Sequence, residues 1–367
     1  MIMGKDYLKD QLITYLGNKR SLLGFIDEVV KIVKAELGQD KLIIADGFSG
    51  SGTVARYLKQ HASKLIVNDL EDYCKIINEA FLANKSKIDF DEVKKYTDLL
   101  NERRFRTDSV PGIIERLYAP KDTSNPQEGE RCFYTNENAK IIDNIRRTID
   151  MEVPQHLKNI LISILLYKAS VHTNTSGVFK GFYKGLKSPI GKFGGEKENA
   201  IERITGEITM EPINLSDYEC DVEVYQEDIN SLMGKVTGLD LVYLDPPYNQ
   251  HPFGSNYHML NTIANYVEPK EISEVAGIPK NWKKSLYNKK NMAKKTMDDL
   301  IQKTDAKYIM ISYNNEGFIS YEDMVEMCEK KGDVRVFDET YNAFRGSRNL
   351  KEREIHVKEF IFLIKTT

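Results

Sequence analysis

A doubly wound α/β sheet carrying one long insertion is the architecture this sequence predicts, on three observations. A short apolar run ends in a glycine-rich loop at residues 46–53. Strand-like and helix-like runs alternate around that loop. The alternation halts near residue 85 and resumes near residue 215. Such alternation belongs to parallel sheets with helices on both faces.

The elements follow in order. Leu42-Ile43-Ile44-Ala45-Asp46 reads as a buried parallel strand, and residues 53–60 as the helix after it. Residues 64–69 read as the next strand and 73–83 as another helix. The stretch that follows is polar and mixed, with one strongly apolar helix candidate (157–170) and a Gly/Lys/aromatic segment (176–195). It is too long for a loop within a compact domain, which predicts an inserted domain over residues 85–215, with 1–84 and 216–367 forming the main domain. Strand-like runs return at 222–225, 239–244 and 308–312, and 334–337 with 360–364 read as a hairpin at the sheet edge.

With 41% hydrophobic and 29% charged residues, the 367-residue chain can bury a substantial core. No apolar run approaches the roughly 20 residues needed to span a bilayer. Residues 1–10 lack a signal peptide's apolar stretch, so the cytoplasm is the expected compartment and no membrane partner is expected. Four cysteines lie far apart without a CxxC pair, which predicts reduced thiols and no metal site. A net charge of −3 does not announce a nucleic-acid binder, but its distribution is uneven. Residues 280–295 hold seven lysines and no acid, interleaved with Trp282 and Tyr287. Residues 180–192 hold four lysines and no acid, with Phe179, Phe182, Tyr183 and Phe193 in or beside them. Solvated loops and nucleic-acid contacts both fit these stretches.

Asp46-Gly47-Phe48-Ser49-Gly50-Ser51-Gly52-Thr53 lies where a strand turns into a helix, and its glycines let backbone approach a ligand closely. A phosphate-binding P-loop fails, because no lysine stands between Gly52 and Thr53. Gly50 to Ala55 fits GxGxxA, and Asp69 follows where an acid would grip a ribose, so a dinucleotide remains open. S-adenosylmethionine is equally compatible, since its ribose also wants an acid after the second strand.

Asp245-Pro246-Pro247-Tyr248 follows the apolar strand 241–244. Two prolines cannot donate to a sheet ladder, so the strand ends there in a stiff turn. Open α/β sheets bind ligands at such carboxyl ends. An exocyclic adenine amine is a poor nucleophile because its lone pair is delocalised. Asp245 and the Pro246 carbonyl offer acceptors for its two N–H bonds, which favours a pyramidal nitrogen and stabilises its developing positive charge. Tyr248 offers a face for a base taken out of the duplex.

With these residues the chain resembles the N6-adenine DNA methyltransferases of the Dam-like α group, of restriction–modification type. The shared order is an N-terminal Tyr15-Leu16-Gly17-Asn18-Lys19, the FxGxG loop Phe48-Ser49-Gly50-Ser51-Gly52, an insertion, then Asp245 to Tyr248. Tyr15 stands where the best-known member has tryptophan, and Asn18 where it has glycine. The resemblance implies a Rossmann-like S-adenosylmethionine-dependent methyltransferase sheet with an inserted target-recognition domain. It implies methyl transfer to a flipped-out adenine of double-stranded DNA, with a cognate restriction endonuclease as a further partner. Asp245, Pro246, Pro247 and Tyr248 become the catalytic set. Tyr15 and Lys19 help bind cofactor; Asp46, Phe48, Gly50 and Gly52 line its methionine end, with Asp245 beside them. Asp69 takes the ribose and Asp228 a place near the cofactor's adenine. Asn256 and Tyr257 begin a helix that closes the pocket.

For DNA contacts the candidates are Lys180 and Lys184 within an insertion segment (174–182) of amides, hydroxyls and aromatics, with Lys283 and Lys284 in the second lysine run. Arg345, Arg348 and Arg353, with Phe344 nearby, are expected at a basic hairpin tip. N4-cytosine methylation is the alternative within the chemistry, though serine commonly replaces the first acid there. C5-cytosine methylation needs a Pro-Cys nucleophile, and no cysteine follows a proline. A dinucleotide-dependent oxidoreductase is the alternative from another enzyme class.

Overall fold

In the computed structural model of the chain, residues 7–8, 12–13, 15–107, 110–198, 200–342 and 356–367 are described. Helix α1 (Leu23–Leu37) presents Ile26, Val29, Val30 and Val33 along one buried stripe. It stops at Gly38, whose φ of 63° provides a left-handed cap, and the Gln39 N–H reaches the Lys34 carbonyl at 3.1 Å. Next come β1 (Leu42–Asp46), α2 (Thr53–Leu58), β2 (Ala62–Asn68) and α3 (Asp72–Phe81). The middle of the chain is helical: α4 (Phe90–Arg103), α5 (Ile113–Tyr118), α6 (Asn136–Glu152), α7 (Gln155–Val171) and α8 (Ile201–Thr205). Then β3 (Asp221–Tyr225), α9 (Ile229–Met233), β4 (Leu239–Leu244), α10 (Phe253–Asn256), α11 (His258–Asn265) and α12 (Lys290–Lys303) follow. The chain closes with β5 (Ala306–Asn314), α13 (Tyr321–Glu329), β6 (Gly332–Asn342) and β7 (His356–Thr366).

The seven strands form one sheet in the order β3-β2-β1-β4-β5-β7-β6. Strands β1 to β5 run parallel, while β7 is antiparallel to both β5 and β6. The expected hairpin exists, but only β6 lies at the edge. Strand β7 is interior, because Ile361, Phe362, Leu363 and Ile364 fill cores on both faces and such a continuous apolar run needs cover on each side. The same alternation organises β4: Val242 and Leu244 enter one core, Leu241 and Tyr243 the other.

Chain order reverses between β1 and β4. The connection from β1 leads outward to β2, and that from β4 leads outward to β5, so their carboxyl ends open a crevice. The dinucleotide fold has the all-parallel order 3-2-1-4-5-6; the antiparallel β7 inserted here departs from it. The helices of residues 90–171 share one hydrophobic cluster with α3 and α11, through residues such as Tyr73, Ile77, Val93, Leu165 and Leu260. The expected inserted stretch therefore packs into a common core with helices beside the sheet.

Candidate active site

Both predicted loops emerge at this crevice. Asp46 and Tyr243 are register partners, and the Gly47 N–H bonds the Tyr243 carbonyl at 2.9 Å. The glycine turn and the acid–proline–proline–tyrosine corner therefore leave adjacent strands side by side. One cavity is lined by Tyr15, Lys19, Phe48, Asp69 and the whole of Asp245, Pro246, Pro247 and Tyr248.

The glycine turn is fixed by geometry that larger residues cannot adopt. Gly50 and Gly52 have φ of 52° and 78°. A Cβ on Gly50 would lie 2.7 Å from the Tyr15 ring, and one on Gly52 would lie 2.5 Å from the Asn78 amide oxygen. Asn78, from α3, donates to Ser49 Oγ (3.0 Å) and to the carbonyls of Gly50 (3.3 Å) and Cys74 (2.8 Å), clamping the turn. Asp69 follows β2 directly. Its carboxylate accepts the Gly50 N–H at 2.8 Å and the Glu71 N–H at 3.0 Å.

Asp46 is buried, and the backbone amides of Phe48 and Ala55 are the groups nearest to satisfying its carboxylate. Burial and the nearby Asp245 carboxylate push its carboxyl well above the ordinary range, offset in part by the Phe48 and Ala55 amides. Asp46 itself lies beneath the cavity's lining, behind Phe48 of the same turn. The turn that no side chain can fill suits a close-lying ligand.

At the opposite wall, Lys19 Nζ lies 2.9 Å from Asp245 Oδ1 and 3.1 Å from Glu359 Oε1. Among the described residues Lys19 is the one side chain that hydrogen-bonds the Asp245 carboxylate. Burial raises the Asp245 carboxyl to about 6; Lys19 opposes that rise and Glu359 adds to it. Tyr248 is half-buried, edge-on to Tyr313 at 6.4 Å, with its carbonyl held by the Phe318 N–H at 3.0 Å. Tyr15 stacks on both Phe253 and Tyr257, at 4.9 Å in each case, and the Leu16 N–H donates to Tyr257 Oη at 2.7 Å. Asn256 ends α10 and Tyr257 caps α11, so this corner carries two short helices rather than one.

The remaining expected residues are less central. Asp228 caps α9, accepting the Ser231 N–H at 3.1 Å, and lies outside the cavity's lining. Lys283 reaches the cavity rim but pairs with Asp72 at 2.9 Å; exposed Lys284 lies over the Trp282 ring at 5.5 Å. Lys184 lies over the Phe182 ring at 5.4 Å, and Lys180 is exposed. The aromatics flanking them do not line a surface groove. Phe179 and Phe193 are buried, and Asn174 spends its amide on the Cys132 and Lys192 carbonyls, because this loop must satisfy its own buried backbone. Arg345, Arg348, Arg353 and Phe344 lie outside the described residues.

Two acids escaped sequence reasoning. Glu359 sits in an apolar strand run, where a single inward acid is itself a signal. Glu71, at the cavity wall, is raised to about 7 by burial and accepts the Asn261 amide at 2.6 Å.

Comparison with known proteins decides between the open readings. The family described as D12 class N6 adenine-specific DNA methyltransferase matches residues 15–327. The chain belongs to that family. S-adenosylmethionine is therefore its methyl donor, DNA its substrate, and the oxidoreductase reading falls. Among its relatives are the type II methyltransferases M.NlaIII of Neisseria lactamica (28% identical, 97% of this chain and 100% of that one) and M.CviAII of Paramecium bursaria Chlorella virus 1 (28%, 96% and 98%). M.FokI of Planomicrobium okeanokoites is 28% identical over 96% of this chain, which spans only 52% of that methyltransferase.

Proposed function

We propose that this methyltransferase is the modification enzyme of a restriction–modification system, acting in the cytoplasm on a flipped-out adenine within a specific duplex sequence. The observation that carries the reading is the single cavity in which the Asp69 and Phe48 wall faces the Asp245–Tyr248 corner. Type II methyltransferases of matching length, M.NlaIII and M.CviAII, support the restriction–modification assignment.

Bound S-adenosylmethionine supplies an electrophilic methyl group. Asp46 and the glycine turn would hold its amino-acid end, Tyr15 would pack beside it, Asp69 would take the ribose, and Asp228, just beyond the lining, would complete the adenine end. Asp245 accepts one N–H of the target amine and the Pro246 carbonyl the other, so the lone pair points away from both acceptors. The Asp245 carboxylate then stabilises positive charge as it grows on nitrogen. Tyr248 stacks on the extruded base. The amine gains a methyl group and gives up one proton, while the sulfur keeps the electron pair of the broken bond.

Residues 85–215 form the target-recognition part, with Lys180 and Lys184 on phosphates; Lys283 and Lys284 approach the backbone near the cavity mouth, and Arg345 and Arg348, outside the described residues, are further candidates by sequence. Purified protein given tritiated S-adenosylmethionine and mixed-sequence duplex DNA should label N6-methyladenine. Label on N4-methylcytosine would transfer the assignment to that base, and an unlabelled duplex would overturn it. A cognate endonuclease that cuts the same sequence only when unmodified is the second expectation.

A further inference from the structure

We infer that Glu359 is a positioning residue for methyl transfer: it takes a share of the Lys19 ammonium, so that Asp245 is anchored through one carboxylate oxygen and keeps the other available to the target amine. This inference rests on the Asp245 role proposed above.

Glu359 is 1% exposed on an interior strand. A buried acid is costly, and packing alone would be served as well by an apolar side chain of similar volume. Its setting points instead to the reaction centre. Lys19 Nζ lies between Asp245 Oδ1 (2.9 Å) and Glu359 Oε1 (3.1 Å), and Ser312 Oγ donates to the same Glu359 oxygen at 2.5 Å. Ser312 comes from β5, which pairs with β7 on one side and β4 on the other, so the hydroxyl fixes Glu359 relative to the strand that carries Asp245.

Lys19 facing Asp245 alone would place a full ammonium charge on the carboxylate that must attract a weakly acidic N–H. That would weaken the carboxylate as an acceptor and draw its second oxygen toward the ammonium. A second carboxylate divides the ammonium's field, leaving the three groups with one net negative charge. The charged and titratable groups around Asp245 are Lys19 from the N-terminal segment, Asp46 from β1, Tyr243 from β4, Tyr248 from the corner and Glu359 from β7. Of the carboxylates, Glu359 is the one joined to Asp245 through a shared cation.

The test compares wild type with E359Q, which preserves shape and the contact with Ser312. Single-turnover methylation of mixed-sequence duplex DNA is followed across pH, alongside calorimetric binding of S-adenosylmethionine. Above the acidic limb, E359Q should transfer methyl about tenfold to a hundredfold more slowly, the scale expected for a misplaced reacting group. Donor affinity should hold within about twofold, since uniform binding is untouched. The acidic limb should move to lower pH, because one negative charge near Asp245 is gone. In a K19Q background the same substitution should change little, since residues acting as a unit are non-additive. S312A should slow transfer in the same direction, by less.

An unchanged rate and limb in E359Q would overturn the inference, as would a donor affinity that falls in step with the rate, or full additivity with K19Q. If E359Q does not fold, S312A decides by the same criteria. Wild type that fails to label adenine would instead strike the Asp245 reading beneath it.

Discussion

At the ends of β1 and β4 one lysine is shared by a buried carboxylate, Glu359, and a half-buried one, Asp245, and a third carboxylate, Asp46, is buried close by. Along residues 280–295 most lysines lie in solvent, several of them paired with acids: Lys280 with Glu271, half-buried Lys283 with Asp72, Lys294 with Asp323 and Glu326. The two regions handle charge in opposite ways. Exposed pairs of this kind are screened and contribute roughly 0–1 kcal/mol each. Charges held in apolar surroundings without balanced partners are expensive, and they persist where a ligand or a reaction needs them. The lysine run is conspicuous in the sequence, yet the sparser buried charges mark the chemistry.

The contrast can be broken most sharply at Asp245. D245A should lower the single-turnover rate by about a hundredfold to a thousandfold or more, the scale for losing one preorganised electrostatic partner. Donor binding measured by calorimetry should stay within several-fold. A D245A enzyme with near-normal rate would mean the corner is only a strand-ending turn.

K19Q tests the same cluster through stability. It leaves buried Glu359 and half-buried Asp245 without their cation, a loss of up to about 3 kcal/mol, the lower end for broken buried pairs, seen as a lower midpoint in denaturant. The opposite region supplies the control: K280A should shift that midpoint by less than about 0.5 kcal/mol.

A third measurement is the pH profile. The Asp245 carboxyl is raised to about 6, so the acceptor form is present above that value and lost as pH falls through it. Below it, transfer should drop about tenfold per pH unit, while unchanged donor binding over the same range would assign the loss to chemistry.

The mildest effect is expected on the surface. Lys284, Lys289 and Lys290 are exposed, while Lys283 is tied to Asp72. Replacing all four by alanine should flatten the dependence of DNA affinity on salt, by up to about one unit of slope for each phosphate no longer neutralised. The K283A contribution should be the smallest. A slope that stays put removes this run from the DNA interface.

Much of this arrangement is legible in the amino acids alone. Strands β1 and β4 match their expected bounds to the residue, because their apolar runs end abruptly, one at glycines and one at prolines. The meeting of Phe48, Asp69 and Asp245 in one cavity follows from parallel strands delivering their loops to the same edge. The insertion is harder. Helix α6 looks polar, but Asn138, Asp143, Asn144 and Arg146 are buried and bonded to neighbouring backbone, as where Asp143 receives the Ile114 and Glu115 amides. Binary patterning cannot distinguish such a helix from a solvated one. Helix α1 carries a plain apolar stripe at helical spacing, so its absence from the expected elements has no physical cause. Glu359 is visible as an acid beside an apolar run, but its partner Lys19, 340 positions away in the chain, is not.

The Lys19–Glu359 pair ties the segment before the first helix to the final strand, and the sheet between them separates the two in the chain. Every recognisable motif lies upstream of β7, so a nascent polypeptide can display all of them while its charged cluster is still missing one member. The methylating centre thus needs β7 seated between β5 and β6 before its charged cluster is whole. A chain lacking β7 would carry the signature of an enzyme around an unfinished interior.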